Sequence, residues 1–168
     1  MSTERAVGKS LAESVLVLVI GTLLTQSAFS AISIVTNDAA VTVSGSGTLD
    51  AAFDAPDVTT VTYNPSGGLV VSSQTPSSYI GGTTVNGNVG NGDILQLSCC
   101  KGAFGAGDIT LNGSAGLYSS YNADVVLTNR VNVTGSSLVG SFGGSLTLRS
   151  VGLADDTYPL RIGRVIRT

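Results

Sequence analysis

The chain has 168 residues, 42% of them hydrophobic but only 11% charged, with 22 glycines, no histidine, no tryptophan and two cysteines. That length bounds it to one modest domain, and a charge density under half the usual figure of about 25% leaves Ser, Thr, Asn and Gly to make the surface. A mean hydropathy of +0.36 excludes a disordered chain, and the missing histidine excludes a Ser-His-Asp triad, histidine zinc ligation and the commonest general base.

The N-terminal segment carries the strongest signal. Glu4, Arg5, Lys9 and Glu13 cancel, no charge follows from Ser14 to Asn37, and Val15 to Leu24 reads VLVLVIGTLL, apolar on every side of a helix. A bilayer needs about 20 mainly apolar residues. Residues 14–35 are therefore expected to form a hydrophobic helix, in contact with a membrane or buried among copies of the chain. The same stretch fits a secretory signal peptide, with MSTERAVGK as its charged start and the small residues Ala28 and Ser30 preceding Ala31.

Gly8 closes an eight-residue leader, and counting on from it places Glu13 fifth, at the head of the apolar run. This layout resembles a type IV prepilin, bacterial or archaeal, over residues 1–35. The resemblance implies cleavage after Gly8 and a filament core built from Glu13, Val15, Leu16, Val17, Leu18, Val19, Ile20, Leu23 and Leu24. It also implies that Glu13 neutralises the amino terminus of an adjacent subunit, because an acid buried at the head of an apolar helix needs a cation to meet it. The plainer reading of Glu13 is a first-turn acid favoured by the helix dipole. Lys9 and Val7 depart from the pattern, since bacterial members carry an apolar residue at the former position and archaeal members a basic one at the latter.

After Thr36 the chain reads as all β. Alternation marks strands at Ala40 to Val43, Val58 to Tyr63, Leu69 to Ser73, Ile94 to Leu97, Ile109 to Leu111, Ala123 to Thr128, Val131 to Val133, Ser137 to Phe142, Ser145 to Arg149 and Tyr158 to Ile166. Turn clusters separate them, among them NPSGG at 64–68, NGNVGNGD at 86–93 and NGSAG at 112–116. Strands this short predict a β-sandwich or jelly-roll head over residues 37–168, preceded by a leader and one hydrophobic α-helix in residues 1–36. No clean internal repeat is visible, which argues against a solenoid. SLTLRSVGLADDTY, Ser145 to Tyr158, resembles the E to F corner of immunoglobulin-like domains, with Asp155 and Tyr158 one residue closer than that family's spacing.

Chemistry is sparse. Cys99 and Cys100 are vicinal and read as two separate thiols, one facing in and one out. In NGNVGNGD, Asn86, Asn88, Asn91 and Asp93 offer oxygens to calcium, but a single carboxylate favours plain turn chemistry. Asn112 in NGS and Asn132 in NVT are candidate glycosylation sites. Tyr118 and Tyr121 are close enough to form a small sugar platform, although strand-face packing is the simpler use. The body between residues 38 and 160 is acidic and the last eight residues add Arg161, Arg164 and Arg167, an asymmetry able to join copies head to tail, although the solvent face of a final strand is the simpler reading of arginines that alternate with apolar residues.

These readings converge on a self-assembling structural subunit of an extracellular, pilin-like filament. No enzymatic activity, cofactor or metal is expected, and partners are copies of the chain and a membrane rather than nucleic acid. A membrane-associated virion shell protein and a secreted monomeric β-sandwich binding or adhesion module are the alternatives.

Overall fold

The structure is a computed structural model that describes residues 31–98, 104–121, 123–153 and 161–164. Eleven strands follow in chain order: β1 (Ser33–Asn37), β2 (Ala40–Leu49), β3 (Thr60–Val71), β4 (Thr83–Val85), β5 (Ile94–Leu97), β6 (Ile109–Leu111), β7 (Gly116–Ser119), β8 (Asp124–Val133), β9 (Leu138–Ser141), β10 (Ser145–Leu153) and β11 (Arg161–Arg164). Only β1 is antiparallel to its neighbour, joined to β2 through Asp38 in the left-handed region (φ +49°) that aspartate tolerates. Every other pairing is parallel.

Two ladders of strands result. One face runs β1, β2, β3, β4, β6, β8, β10, and the other leaves β3 through β5, β7, β9 and β11. Each strand thus pairs with its equivalent one turn of chain later, which defines a parallel β-solenoid. Register links Val41, Val61, Thr83, Ile109, Val131 and Val151 in one column, giving coils of 20, 22, 26, 22 and 20 residues.

The pattern within a coil explains the winding. Alternate residues point inward, as in Val61, Tyr63, Leu69 and Val71 of β3, all at most 1% exposed. A single coil has no partner for that apolar side, so its burial requires the coil above and below. Phe53, Tyr79, Phe104, Val125 and Leu127 close the core from the arc that returns to the first face.

The sandwich or jelly-roll expectation is therefore corrected. A sandwich packs antiparallel sheets face to face, whereas here the strands run in parallel and the core lies inside the coil. The immunoglobulin-like corner fails for the same reason, since Ser145–Leu153 is β10 and runs parallel to β8. The expected N-terminal α-helix lies mostly outside the described residues, and the part within them is not helical. Among the described residues the only helical piece is a 3-10 turn at Val89–Asn91, and residues 33–36, expected at the end of a hydrophobic helix, are strand β1. Gly8, Glu13 and the run Val15 to Leu24 lie outside the described residues, as do Cys99, Cys100, Asp155, Asp156 and Tyr158.

Candidate functional site: a hydroxyl face and a stacked amide corner

Directly after the inward residues Val43, Tyr63, Val85, Leu111 and Val133 stand Ser44, Asn64, Asn86, Asn112 and Thr134, one per coil. The parallel register stacks them at the corner where the chain leaves the first face. Asn64 Nδ2 donates to Ser44 Oγ at 3.5 Å, Asn86 Nδ2 to Asn64 Oδ1 at 2.6 Å and Asn112 Nδ2 to Asn86 Oδ1 at 2.9 Å. Thr134 Oγ1 continues the line to Asn112 Oδ1 at 3.2 Å. Each amide both gives and takes, so the ladder satisfies side chains that the corner leaves half in water. Sequence reasoning missed it, although its signal was present: a Ser, Asn or Thr immediately behind an inward apolar residue in every coil.

Beside that corner, the outward positions of the first face carry Thr42, Thr62, Thr84, Thr110 and Asn132 in register. All five are partly exposed. Parallel strands are about 4.8 Å apart, so the column repeats a hydroxyl and a methyl at that period. Asn132 Nδ2 donates to Asp108 Oδ2 at 3.0 Å, giving this end of the face a charged partner. Both candidate glycosylation residues thus have hydrogen-bonding roles in the folded chain, Asn112 in the ladder and Asn132 on the hydroxyl face.

The other candidates resolve into structural parts. Asn88 Oδ1 accepts from Gly90 N at 3.1 Å and caps the 3-10 turn, while Asp93 Oδ1 accepts from Gly67 N at 2.8 Å in the coil below. The loop NGNVGNGD is held by these contacts, and among the described residues no three His, Cys, Asp or Glu side chains group together to hold a metal. Tyr118 and Tyr121 do not form an open platform: Tyr118 is 2% exposed and stacks on Phe142 at 4.8 Å, leaving Tyr121, 53% exposed, 6.2 Å from that same ring.

Inside the coil, the Tyr79 hydroxyl lies 2.6 Å from Thr83 Oγ1, both buried. Burial pushes the Tyr79 phenol above its ordinary range and does the same, more strongly, to Tyr63, whose ring meets Phe104 edge-on at 5.9 Å. These phenols stay protonated at ordinary pH. Thr83 is the one polar residue in its column, and Tyr79 is what satisfies it.

The arrangement defines a parallel β-solenoid with a hydroxyl-bearing face, an amide-laddered corner and two open ends. No family of known proteins, no curated protein and no solved structure matches the chain. Among the described residues no helix is long and apolar enough to cross a membrane.

Proposed function

We propose that the chain is a structural subunit of an extracellular filament, in which the apolar N-terminal segment joins copies and the solenoid is displayed outward. The observation that supports this reading is the continuous parallel pairing from β2 to β10, whose register shifts only between Gly45 and Gly47 and between Leu148 and Ser150. Such a stack is a stiff rod, because each coil is fixed by backbone hydrogen bonds, core and corner ladder together. Its outer side chains are short hydroxyls and amides, which cover the rod without the charge a cytosolic surface usually carries. The apolar run precedes β1 in the chain, and β1 begins at Ser33 and pairs along the first coil.

Burying the eight large apolar side chains of Val15 to Leu24 at about 1.5 to 3 kcal/mol each gives association a strong drive, even after entropy losses. Electron microscopy of the full chain without detergent tests this reading against the Val17→Asp, Ile20→Asp double variant. Filaments from the native chain, with a dispersed variant of unchanged β circular dichroism, are the expected result. Filaments from the double variant, or a native chain that stays monomeric, would sink it; the latter points to a secreted binding module.

A further inference from the structure

The two ends of the solenoid differ in charge and expose the same core. Residues 31–59, which include the first coil, contain Asp38, Asp50, Asp54 and Asp57 and neither Lys nor Arg. All four aspartates are exposed. At the far end Arg130 and Arg149 are exposed and β11 carries Arg161 and Arg164, against Asp124, Asp155 and Asp156 within residues 123–164, so that stretch is at +1 where the first is at −4.

Both ends also present unpaired backbone. Among the described residues nothing pairs with the outer edge of β1 or of β10. Natural edge strands are usually blunted by Lys, Pro or a bulge, yet β1 reads SIVTN, without charge or proline. The core column of Val41, Val61, Thr83, Ile109 and Val131, none above 3% exposed, ends at Val151 with 43% exposed. On the other end Ile34, opposite Val43, is 44% exposed and Val35 57%. Three of the five exposed large hydrophobic residues therefore sit on the two end strands of one face.

We propose that copies of this chain stack head to tail, the β10 edge of one pairing with the β1 edge of the next. A second copy fits where another partner does not, because it brings an acidic end to a basic one and an unpaired strand to an unpaired strand. Direction agrees as well: β1 runs opposite to the rest of its face, so coaxial copies pointing the same way place it antiparallel to the neighbour's β10. Like ends repel, acidic against acidic. The contact is heterologous and does not close, so it generates a filament. Seven strands stand on this face, which sets an axial repeat of about 34 Å at about 4.8 Å per strand.

This deepens the filament reading by naming a contact, and it is separable from it because it uses the ends of the solenoid and not the apolar segment. The test places the full chain in mild detergent, which occupies that segment, and follows association by sedimentation velocity and negative-stain microscopy at low salt. Two variants are compared, Asp50→Lys, Asp54→Lys and Asp57→Lys together, and Arg149→Glu, Arg161→Glu and Arg164→Glu together. Each gives a molecule with like-charged ends, and each is expected to associate about tenfold more weakly or worse than the native chain. Mixed in equal amounts they present opposite charges at every junction and regain native association, a result that a folding defect in either variant cannot produce. Native-length rods from either variant alone, a mixture that stays dispersed, or a native chain that is monomeric in detergent each overturn the proposal. Loss of assembly only in the Val17→Asp, Ile20→Asp variant, with no effect of the end charges, also overturns it while leaving the filament reading intact.

Discussion

Two stretches of every coil connect the same two faces, and they behave differently. The arc from the second face back to the first spans twelve residues in four coils, from Leu49 to Val61, Val71 to Thr83, Leu97 to Ile109 and Ser119 to Val131, and ten in the last, from Ser141 to Val151, where the register with β8 shifts between Leu148 and Ser150. The corner with the ladder, measured from Val43 to Leu49, Tyr63 to Val71, Val85 to Leu97 and Leu111 to Ser119, spans 6, 8, 12 and 8. The more constant stretch contributes Phe53, Tyr79 and Phe104 to the core, so its length is fixed by what it fills. The variable one needs only to begin with a polar residue that can join the ladder, after which extra residues loop outward, as in the 3-10 turn of the third coil. Length varies in the outward loop at the start of each corner, before Leu69, Leu95 and Leu117 return the chain to the core.

Deleting residues sharpens this contrast most. Removing Gln74 from the returning arc shifts every later residue to the opposite side of the strand, and the expected outcome is loss of cooperative unfolding by circular dichroism. Removing Asn88 to Asn91 shortens the third corner to the eight residues of its neighbours and keeps the alternation. That variant is expected to unfold cooperatively, with stability changed by no more than about 1 kcal/mol. A corner deletion as damaging as the arc deletion breaks the comparison.

Alkali probes the arc from inside. Burial raises the phenols of Tyr63 and Tyr79 above their ordinary value, so the folded state holds protons that the unfolded chain has begun to release. Their contribution is intact below about pH 10 and is lost as pH rises beyond it. Urea midpoints measured from pH 9 to 12 are expected to fall, and to fall less steeply in Tyr79→Phe, which has one fewer buried phenol to ionise. Parallel slopes for the two proteins would show that Tyr79 is not part of the effect.

The ladder gives the smallest change. Asn86→Ala removes a central rung that donates to Asn64 and accepts from Asn112, an expected loss of about 1 to 3 kcal/mol. Thr134→Ala removes a hydroxyl shared between Asn112 Oδ1 and the Leu111 carbonyl near the ladder's end and is expected to lose about half as much. Equal losses in denaturant titrations would mean that the rungs act singly and not as a chain.

Much of the local structure was legible in the residues. Ile94 to Leu97 and Ile109 to Leu111 were read as strands with the bounds they have, because both show clean alternation. β4 was missed since its inward Thr83 is polar, satisfied by a tyrosine four residues away that no alternation could reveal. β7 was missed because GLYS has Gly and Ser where a strand usually has bulk. The winding was hidden by the variable corner: a repeat of 20, 22 and then 26 residues falls out of phase with itself. Asn112-Gly113 misled further. Asn-Gly is the usual signal of an antiparallel hairpin, and Gly113 does adopt positive φ (+68°), but it turns the chain along a coil and not back on itself. Close stacking is also invisible in sequence, as where a Cβ on Gly107 would stand 2.1 Å from the Gly81 carbonyl oxygen of the coil below. Of the site, the two sequon asparagines stand out in the sequence as glycosylation candidates, and their place in hydrogen-bonded columns follows only from the register.

The amide corner has a bearing on how the molecule ages. Asn86 and Asn112 each precede a glycine, the sequence in which the next backbone nitrogen most readily attacks the side-chain amide, expelling ammonia and leaving aspartate or its isomer. An aspartate at position 86 keeps its acceptors but has lost the N–H groups that reached Asn64. The rung below would go unanswered while a new negative charge entered the column. By holding each amide against its neighbour, the stack restrains the rotation that reaction needs, so an intact rod preserves its own chemistry and a frayed one records the time it has spent open.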